Sequence, residues 1–167
     1  MFDSALRGSA QKLLRELEAR SLMMVTAESC TGGLISALLT EIPGSSAVVE
    51  RAYVTYSNKA KMQCLGVPQA MLDAHGAVSQ PVAIAMAEGA IENSNAKVSV
   101  AVTGIAGPGG ETPGKPVGLV HIAAAHLGMP TRHQECRFGD IGRSEVRLET
   151  VRAAIDLLSS QLTASTV

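Results

Sequence analysis

The chain has 167 residues, of which 46% are hydrophobic and 17% charged, enough apolar material for a buried core and too little polar bias for disorder. Fourteen basic residues against fifteen acidic ones give a net charge of -1, and only 2% are aromatic. Neither the basic footprint nor the stacking platforms of a nucleic-acid binder are present.

Residues 4–20 put Leu6, Ala10, Leu13, Leu14 and Leu17 on one face, the helical period, with Arg7, Lys12, Arg15, Glu16 and Glu18 elsewhere. The run 22–27 is apolar without alternation, as expected of a central strand covered on both faces, and it ends at Glu28. A helix over 34–40 is stopped by Pro43-Gly44, and 48–56 reads as a second strand. Asn58 is read as the N-cap of a short helix through Cys64, closed by Gly66 and Pro68, and 68–74 reads as another. Ser79 with Pro81 starts a longer helix to about Asn93.

Residues 97–103 form the next buried strand, followed by a glycine- and proline-rich stretch from 104 to 118. The segments 117–126 and 132–138 predict a hairpin around Leu127-Gly128-Met129-Pro130. The last helix spans about 144–162, with Val151, Ile155, Leu158 and Leu162 toward the core and Arg147, Arg152 and Asp156 away. Helices between the early strands and a later hairpin imply an α/β fold in one domain over 1–167: a three-layer α/β/α sandwich with a mixed, mostly parallel sheet of about five strands.

Cys30, Cys64 and Cys136 are odd in number and far apart, which suggests neither a disulfide framework nor a structural zinc site. A reducing, cytoplasmic setting is expected. No stretch reaches the ~18 apolar residues of a spanning helix, so no membrane role is expected. His75, His121, His126 and His133 form no close pair on a helix, so no metal site is expected.

Three segments could carry chemistry. Glu28-Ser29-Cys30-Thr31-Gly32-Gly33 lies where a buried strand gives way to a helix, so the Ser29 hydroxyl would stand at the carboxyl edge of the sheet, beside unpaired N–H groups of the following helix. Two glycines could equally serve only a tight turn. Tyr56-Ser57-Asn58-Lys59-Ala60-Lys61 also leaves a strand and opens a helix, which lets both segments converge on one edge. With Asn58 as N-cap, Lys61 falls at N3, where the positive end of the helix dipole disfavours an ammonium ion. A general base needs that bias; a solvated surface lysine is the alternative.

The third segment, Thr103-Gly104-Ile105-Ala106-Gly107-Pro108-Gly109-Gly110, offers backbone donors to a phosphate or ribose but lacks the GxxxxGK[ST] pattern of a P-loop, and it could also be a plain connection. Arg143 and Arg147 could clamp a phosphate or remain solvated.

Taken together, Ala27 to Gly33, Tyr53 to Lys61, Thr103 to Pro108 and the ending Phe138 to Ile155 resemble the CinA C-terminal domain family over most of the chain. The resemblance implies a nicotinamide-nucleotide amidase acting on nicotinamide mononucleotide, a homodimer or higher homo-oligomer, and a Ser-Lys site without metal or organic cofactor. Carried onto this sequence, it makes Ser29 the nucleophile rather than the neighbouring Cys30, Lys61 the base and Tyr56 its hydroxyl partner. Asn58, Thr103, Gly104, Gly107 and Arg143 would contact the nucleotide, and the backbone of Thr31, Gly32 and Gly33 would form the oxyanion hole. The large N-terminal domain of full-length CinA proteins has no counterpart in these residues, so none of its activity is implied. Ile141-Gly142 lengthens the connection from Phe138-Gly139-Asp140 to Arg143 beyond the family's usual one. The rival reading is a nucleotide- or partner-binding module of the competence and damage-inducible type that turns nothing over.

Overall fold

The computed structural model describes residues 2–164. Asp3 opens helix α1 (Ser4–Ala19) by accepting the Leu6 N–H at 2.8 Å, and all five residues of the expected apolar stripe are buried. Strand β1 (Met24–Glu28) is buried at every position, which explains its unbroken apolar pattern. Helix α2 (Leu34–Thr40) leads to a single 3-10 turn and strand β2 (Val49–Val54). The expected strand over 48–56 is shorter at both ends, because Val48 caps the 3-10 turn and the chain beyond Val54 leaves the sheet to enter the next helix. One further bond, from Thr55 N–H to Glu28 O at 2.8 Å, ties that exit to β1.

Helices α3 (Asn58–Leu65), α4 (Gln69–His75) and α5 (Gln80–Glu92) follow, then β3 (Val98–Gly104), β4 (Leu119–His126), β5 (Arg132–Arg137) and α6 (Arg143–Ala164). The sheet order is β2-β1-β3-β4-β5. β1 pairs in parallel with β2 and β3, while β4 is antiparallel to both β3 and β5. The sheet is therefore mixed, with β4 alone reversed, and the hairpin lies where the sequence puts it.

Side chains alternate across the sheet. Val98, Val100, Val102, Val120, Ile122 and Ala124 pack under α1, α2 and α6 together with the Val151, Ile155, Leu158 and Leu162 stripe. Ala27, Ala101, Ala123 and Ala125 face the other way, toward Ala83, Ala87 and Ala90 of α5. Small residues on both sides bring α5 down onto β3 and β4, and Gly89 is needed where α5 crosses the end of α3, since any Cβ there would collide with the Leu65 carbonyl. This is the three-layer α/β/α sandwich expected from the sequence.

The chain steps from β1 out to β2 through α2 on one face, then returns past β1 to β3 through α3, α4 and α5 on the opposite face. Opposite directions with opposite faces keep one crossover hand. They also make the gap between the carboxyl ends of β1 and β3 a topological switch point, where a crevice opens because the connecting loops diverge. Among the described residues no helix is long and apolar enough to cross a membrane.

Candidate active site

A cleft of about 370 Å³ occupies that switch point. Ser29 and Cys30 line it from the end of β1, Tyr56, Asn58 and Lys61 from the start of α3, residues 103 to 110 from the end of β3, and Arg143 from the start of α6. Segments read separately in the sequence thus meet on one sheet edge.

At its base the Lys61 Nζ lies 2.9 Å from Ser29 Oγ and donates to the Thr55 carbonyl at 2.8 Å. Lys61 is only 1% exposed, an unusual state for an amine that carries charge in water. Burial pushes its pKa down to about 8. The N-cap of α3 is Ser57, not Asn58: the Ser57 hydroxyl accepts the Ala60 N–H at 3.1 Å. Lys61 therefore sits one position deeper than N3. Desolvation is the first cause of its lowered pKa, rather than the helix dipole invoked from the sequence.

The turn that carries Ser29 is built around Glu28, whose carboxylate is fully buried. One oxygen accepts the Thr31 hydroxyl at 2.6 Å and the N–H groups of Gly33 and Ile35 at 3.1 and 3.0 Å; the other accepts Ser36 N–H at 2.9 Å and the Thr26 hydroxyl at 3.2 Å. An acid at the start of α2 satisfies orphan donors and complements the helix dipole. Of the oxyanion hole expected at Thr31, Gly32 and Gly33, two N–H groups already have acceptors. Gly33 N–H is taken by Glu28, Gly32 N–H by the Ser29 carbonyl at 3.1 Å, and none of the three residues lines the cleft. Of the turn, only Ser29 and Cys30 do.

Cys30 is a poor rival to Ser29, because burial pushes its thiol up to about 12. Tyr56 is 64% exposed, and its hydroxyl accepts from Arg143 Nη2 at 3.1 Å. It is therefore hydrogen-bonded to Arg143 at the cleft mouth, whereas the Lys61 amine bonds Thr55 O and Ser29 Oγ rather than the Tyr56 hydroxyl the resemblance implied. Arg143 Nη1 donates to the Gly107 carbonyl at 2.7 Å, so the lengthened connection still delivers this arginine to the site.

Thr103 faces the cleft, and its hydroxyl donates to Ala77 O at 2.9 Å, pinning the segment before α5. At Gly104 a Cβ would lie 2.6 Å from Val120 Cγ2 and 2.9 Å from Leu119 O, so close approach to β4 dictates that glycine. Asn58 and Gly107 are in the lining as expected. Arg147 is not turned away: its Nη2 donates to the Thr31 carbonyl at 2.7 Å, beneath the turn that carries Ser29.

The sequence offers no role for Glu28 or Thr55, and for Arg147 only a phosphate clamp or a solvated place, not the Thr31 carbonyl it meets. An acid immediately before a strand-to-helix turn was a usable sign for Glu28; the other two act through contacts 6 and 116 residues away, which no local pattern encodes. His121 Nδ1 and His133 Nε2 stand 3.0 Å apart on neighbouring strands. Among the described residues no group of three His, Cys, Asp or Glu side chains is placed to hold a metal ion.

Comparison with known proteins shows the chain's family. The chain is 43% identical over its full length to a nicotinamide-nucleotide amidohydrolase, PncC, of Escherichia coli K12, covering 99% of this chain and all of that protein. It is 49% identical over 145 residues to a CinA-like protein of Akkermansia muciniphila and 48% over 164 residues to one of Syntrophus aciditrophicus, spanning 35% and 38% of those longer proteins. The chain thus spans little more than a third of the length of these CinA-like relatives. Among solved structures, a competence/damage inducible protein, CihA, of Agrobacterium tumefaciens superposes with a TM-score of 0.94 at 50% identity, covering 98% of each chain. A CinA superfamily protein of Escherichia coli gives 0.89 at 33% identity, covering 96% of this chain and 94% of that one. The family model of the CinA C-terminal domain matches residues 7–162, and the chain belongs to that family.

Proposed function

We propose that this chain hydrolyses the carboxamide of nicotinamide mononucleotide to nicotinate mononucleotide and ammonia, with Ser29 as nucleophile and Lys61 as general base. The observation that carries the reading is the 2.9 Å approach of a buried lysine, its pKa lowered to about 8, to a serine hydroxyl in a cleft. A lysine in that state holds a useful fraction of free amine near neutrality, which a surface lysine does not. The substrate comes from the relative of matching length, which is named for nicotinamide-nucleotide hydrolysis.

In the acylation step the Ser29 Oγ–H proton passes to neutral Lys61 as the Oγ–C bond forms and the carbonyl oxygen gains charge. Collapse breaks the C–N bond, and the lysine's proton leaves with ammonia. Water then attacks the acyl-enzyme, gives its proton to Lys61, and releases the carboxylate as Ser29 is reprotonated. The Thr55 carbonyl orients the amine through both half-reactions.

Arg143 is held by two neutral acceptors, Gly107 O and Tyr56 OH, so a dianionic phosphate at the mouth would gain charge-assisted bonds that neither supplies. Asn58, Thr103, Gly104 and Gly107 complete the nucleotide wall in this reading. A cytoplasmic homodimer is part of the same proposal. Ammonia release from nicotinamide mononucleotide, measured for the wild type and for Ser29→Ala, tests it: turnover lost in the variant supports it, and wild-type binding without ammonia would make the chain a binding module.

A further inference from the structure

The nucleophile turn contains a continuous series of polarised peptides that ends under the reacting atom. Arg147, from the second turn of α6, donates from Nη2 to the Thr31 carbonyl at 2.7 Å. The same peptide presents Gly32 N–H, which donates to the Ser29 carbonyl at 3.1 Å. That carbonyl belongs to the peptide whose N–H is on Cys30, the residue that follows the nucleophile and lines the cleft beside it. Among the described residues, Cys30 N–H enters none of the backbone bonds that close the turn.

We infer that Arg147 is a positioning residue for the oxyanion hole: through the Thr31–Gly32 and Ser29–Cys30 peptides it fixes and polarises Cys30 N–H as the donor to the developing oxyanion. The inference rests on the acyl-transfer reading of the Ser29 site. Further along the turn Gly32 donates to Ser29 O, Leu34 to Thr31 O, and Gly33, Ile35 and Ser36 to Glu28, while Thr31 does not line the cleft, which leaves Cys30 N–H as the donor beside Ser29. Hydrogen bonds in series strengthen one another, because a carbonyl that accepts a bond makes the N–H of its own peptide a better donor. A full cation at the head of the series drives each peptide in the sense the oxyanion needs.

Arg147 is also poorly explained as a stabilising residue. It is partly buried, its Nε has no hydrogen-bond partner, and the acceptor it does reach is a neutral carbonyl. Removing a guanidinium from water for one such bond costs more than an apolar residue would at the same place. Gly32 takes φ +59°, which favours glycine at this point of the turn, and a Cβ there would be in ordinary contact with Arg147 Nη2 at 3.5 Å. Glu28 collects the donors of the turn and Arg147 its acceptor, so the Ser29 loop is held between a buried anion and a half-buried cation.

The test is the second-order rate at which an alkyl fluorophosphonate labels Ser29, read by intact mass for the wild type, Arg147→Gln and Arg147→Lys, with Ser29→Ala as control. In that step the Oγ–P bond forms, the hydroxyl proton goes to Lys61, and fluoride leaves with its electron pair, so the phosphoryl oxygen uses the same hole. Arg147→Gln is expected to lower the labelling rate by about tenfold to a hundredfold, less than loss of a whole oxyanion donor, and Arg147→Lys by less. Melting temperatures of the variants should stay near that of the wild type. The pH midpoint of labelling, set by Lys61, should not move, whereas a merely loosened site would shift it.

Labelling of both variants at the wild-type rate would overturn the inference, as would a wild type that is not labelled at all. If Arg147→Gln does not fold, Arg147→Lys alone decides by the same comparison. Ammonia release is measured on the same wild-type sample: labelling without ammonia removes the amidase reading while the variants still decide the role of Arg147.

Discussion

The amine of Lys61 and the hydroxyl of Ser29 come within 2.9 Å across 32 residues of chain, and both are buried. Lys61 sheds its charge more readily because little water reaches it, and in the proposed reaction that free amine takes the Ser29 proton.

This pairing predicts a pH–rate profile. With the Lys61 pKa at about 8, kcat/KM should rise about tenfold per unit below that point and level off above it. Lys61→Arg keeps the charge, but guanidinium does not deprotonate, so kcat should fall at least ~100-fold with the profile's inflection lost. Steady-state ammonia assays from pH 6 to 10 check both; a variant retaining a tenth of wild-type kcat removes the base role.

The same shift has a signature in stability. Lys61 binds its proton more weakly in the folded chain, at about 8, than in the unfolded one, near the ordinary 10.5. Between those values the unfolded state holds more protons, so stability rises with pH. The cost, on the order of 3 kcal/mol, is fully present below pH 8 and fully relieved above 10.5. Relative to Lys61→Met, which has no such group, the wild type should gain about that amount between pH 7.5 and 10.5 in denaturant unfolding. A flat difference would mean the lysine is not desolvated.

Glu28→Gln should be costly despite its near-identical shape. The carboxylate accepts five bonds, and an amide nitrogen cannot accept, so either the Thr26 and Ser36 donors or the three on the other oxygen lose their acceptor. Leaving buried donors unpaired costs about 1–3 kcal/mol each. Unfolding free energy should drop by at least ~2 kcal/mol, with turnover lower at temperatures where the variant is still folded.

Tyr56→Phe distinguishes two roles for that ring. A proton relay to Lys61 would cost kcat heavily, whereas a hydroxyl that only steadies Arg143 at the mouth should leave kcat within about fivefold and raise KM for the nucleotide. The 3.1 Å bond to Arg143 predicts the second outcome. Arg143→Met should raise KM more strongly, and whatever turnover free nicotinamide gives should not change, because that substrate has no phosphate to lose.

The sequence by itself determined the layers of this protein. Unbroken apolar strands call for cover on both faces, helical stripes supply it, and glycines mark where the chain must turn or pass close; these are local requirements and survive without tertiary knowledge. It also determined which segments reach the active edge, since Ser29, Lys61 and Thr103 each follow a strand. Only the tertiary structure decided what those side chains do. The dipole argument for Lys61 reached the right direction for a secondary reason, because desolvation depends on the packing around α3 rather than on position within it. Tyr56 bonds Arg143 rather than Lys61, and in the turn at Thr31 to Gly33 the Gly32 and Gly33 N–H groups are taken by Ser29 and Glu28. Arg147 looked solvated on a helical wheel, yet the carbonyl it meets belongs to a loop 116 residues earlier. Periodicity describes how one element faces the core; which donor meets which acceptor is fixed by the crossing of several elements, and that crossing exists only in the folded chain.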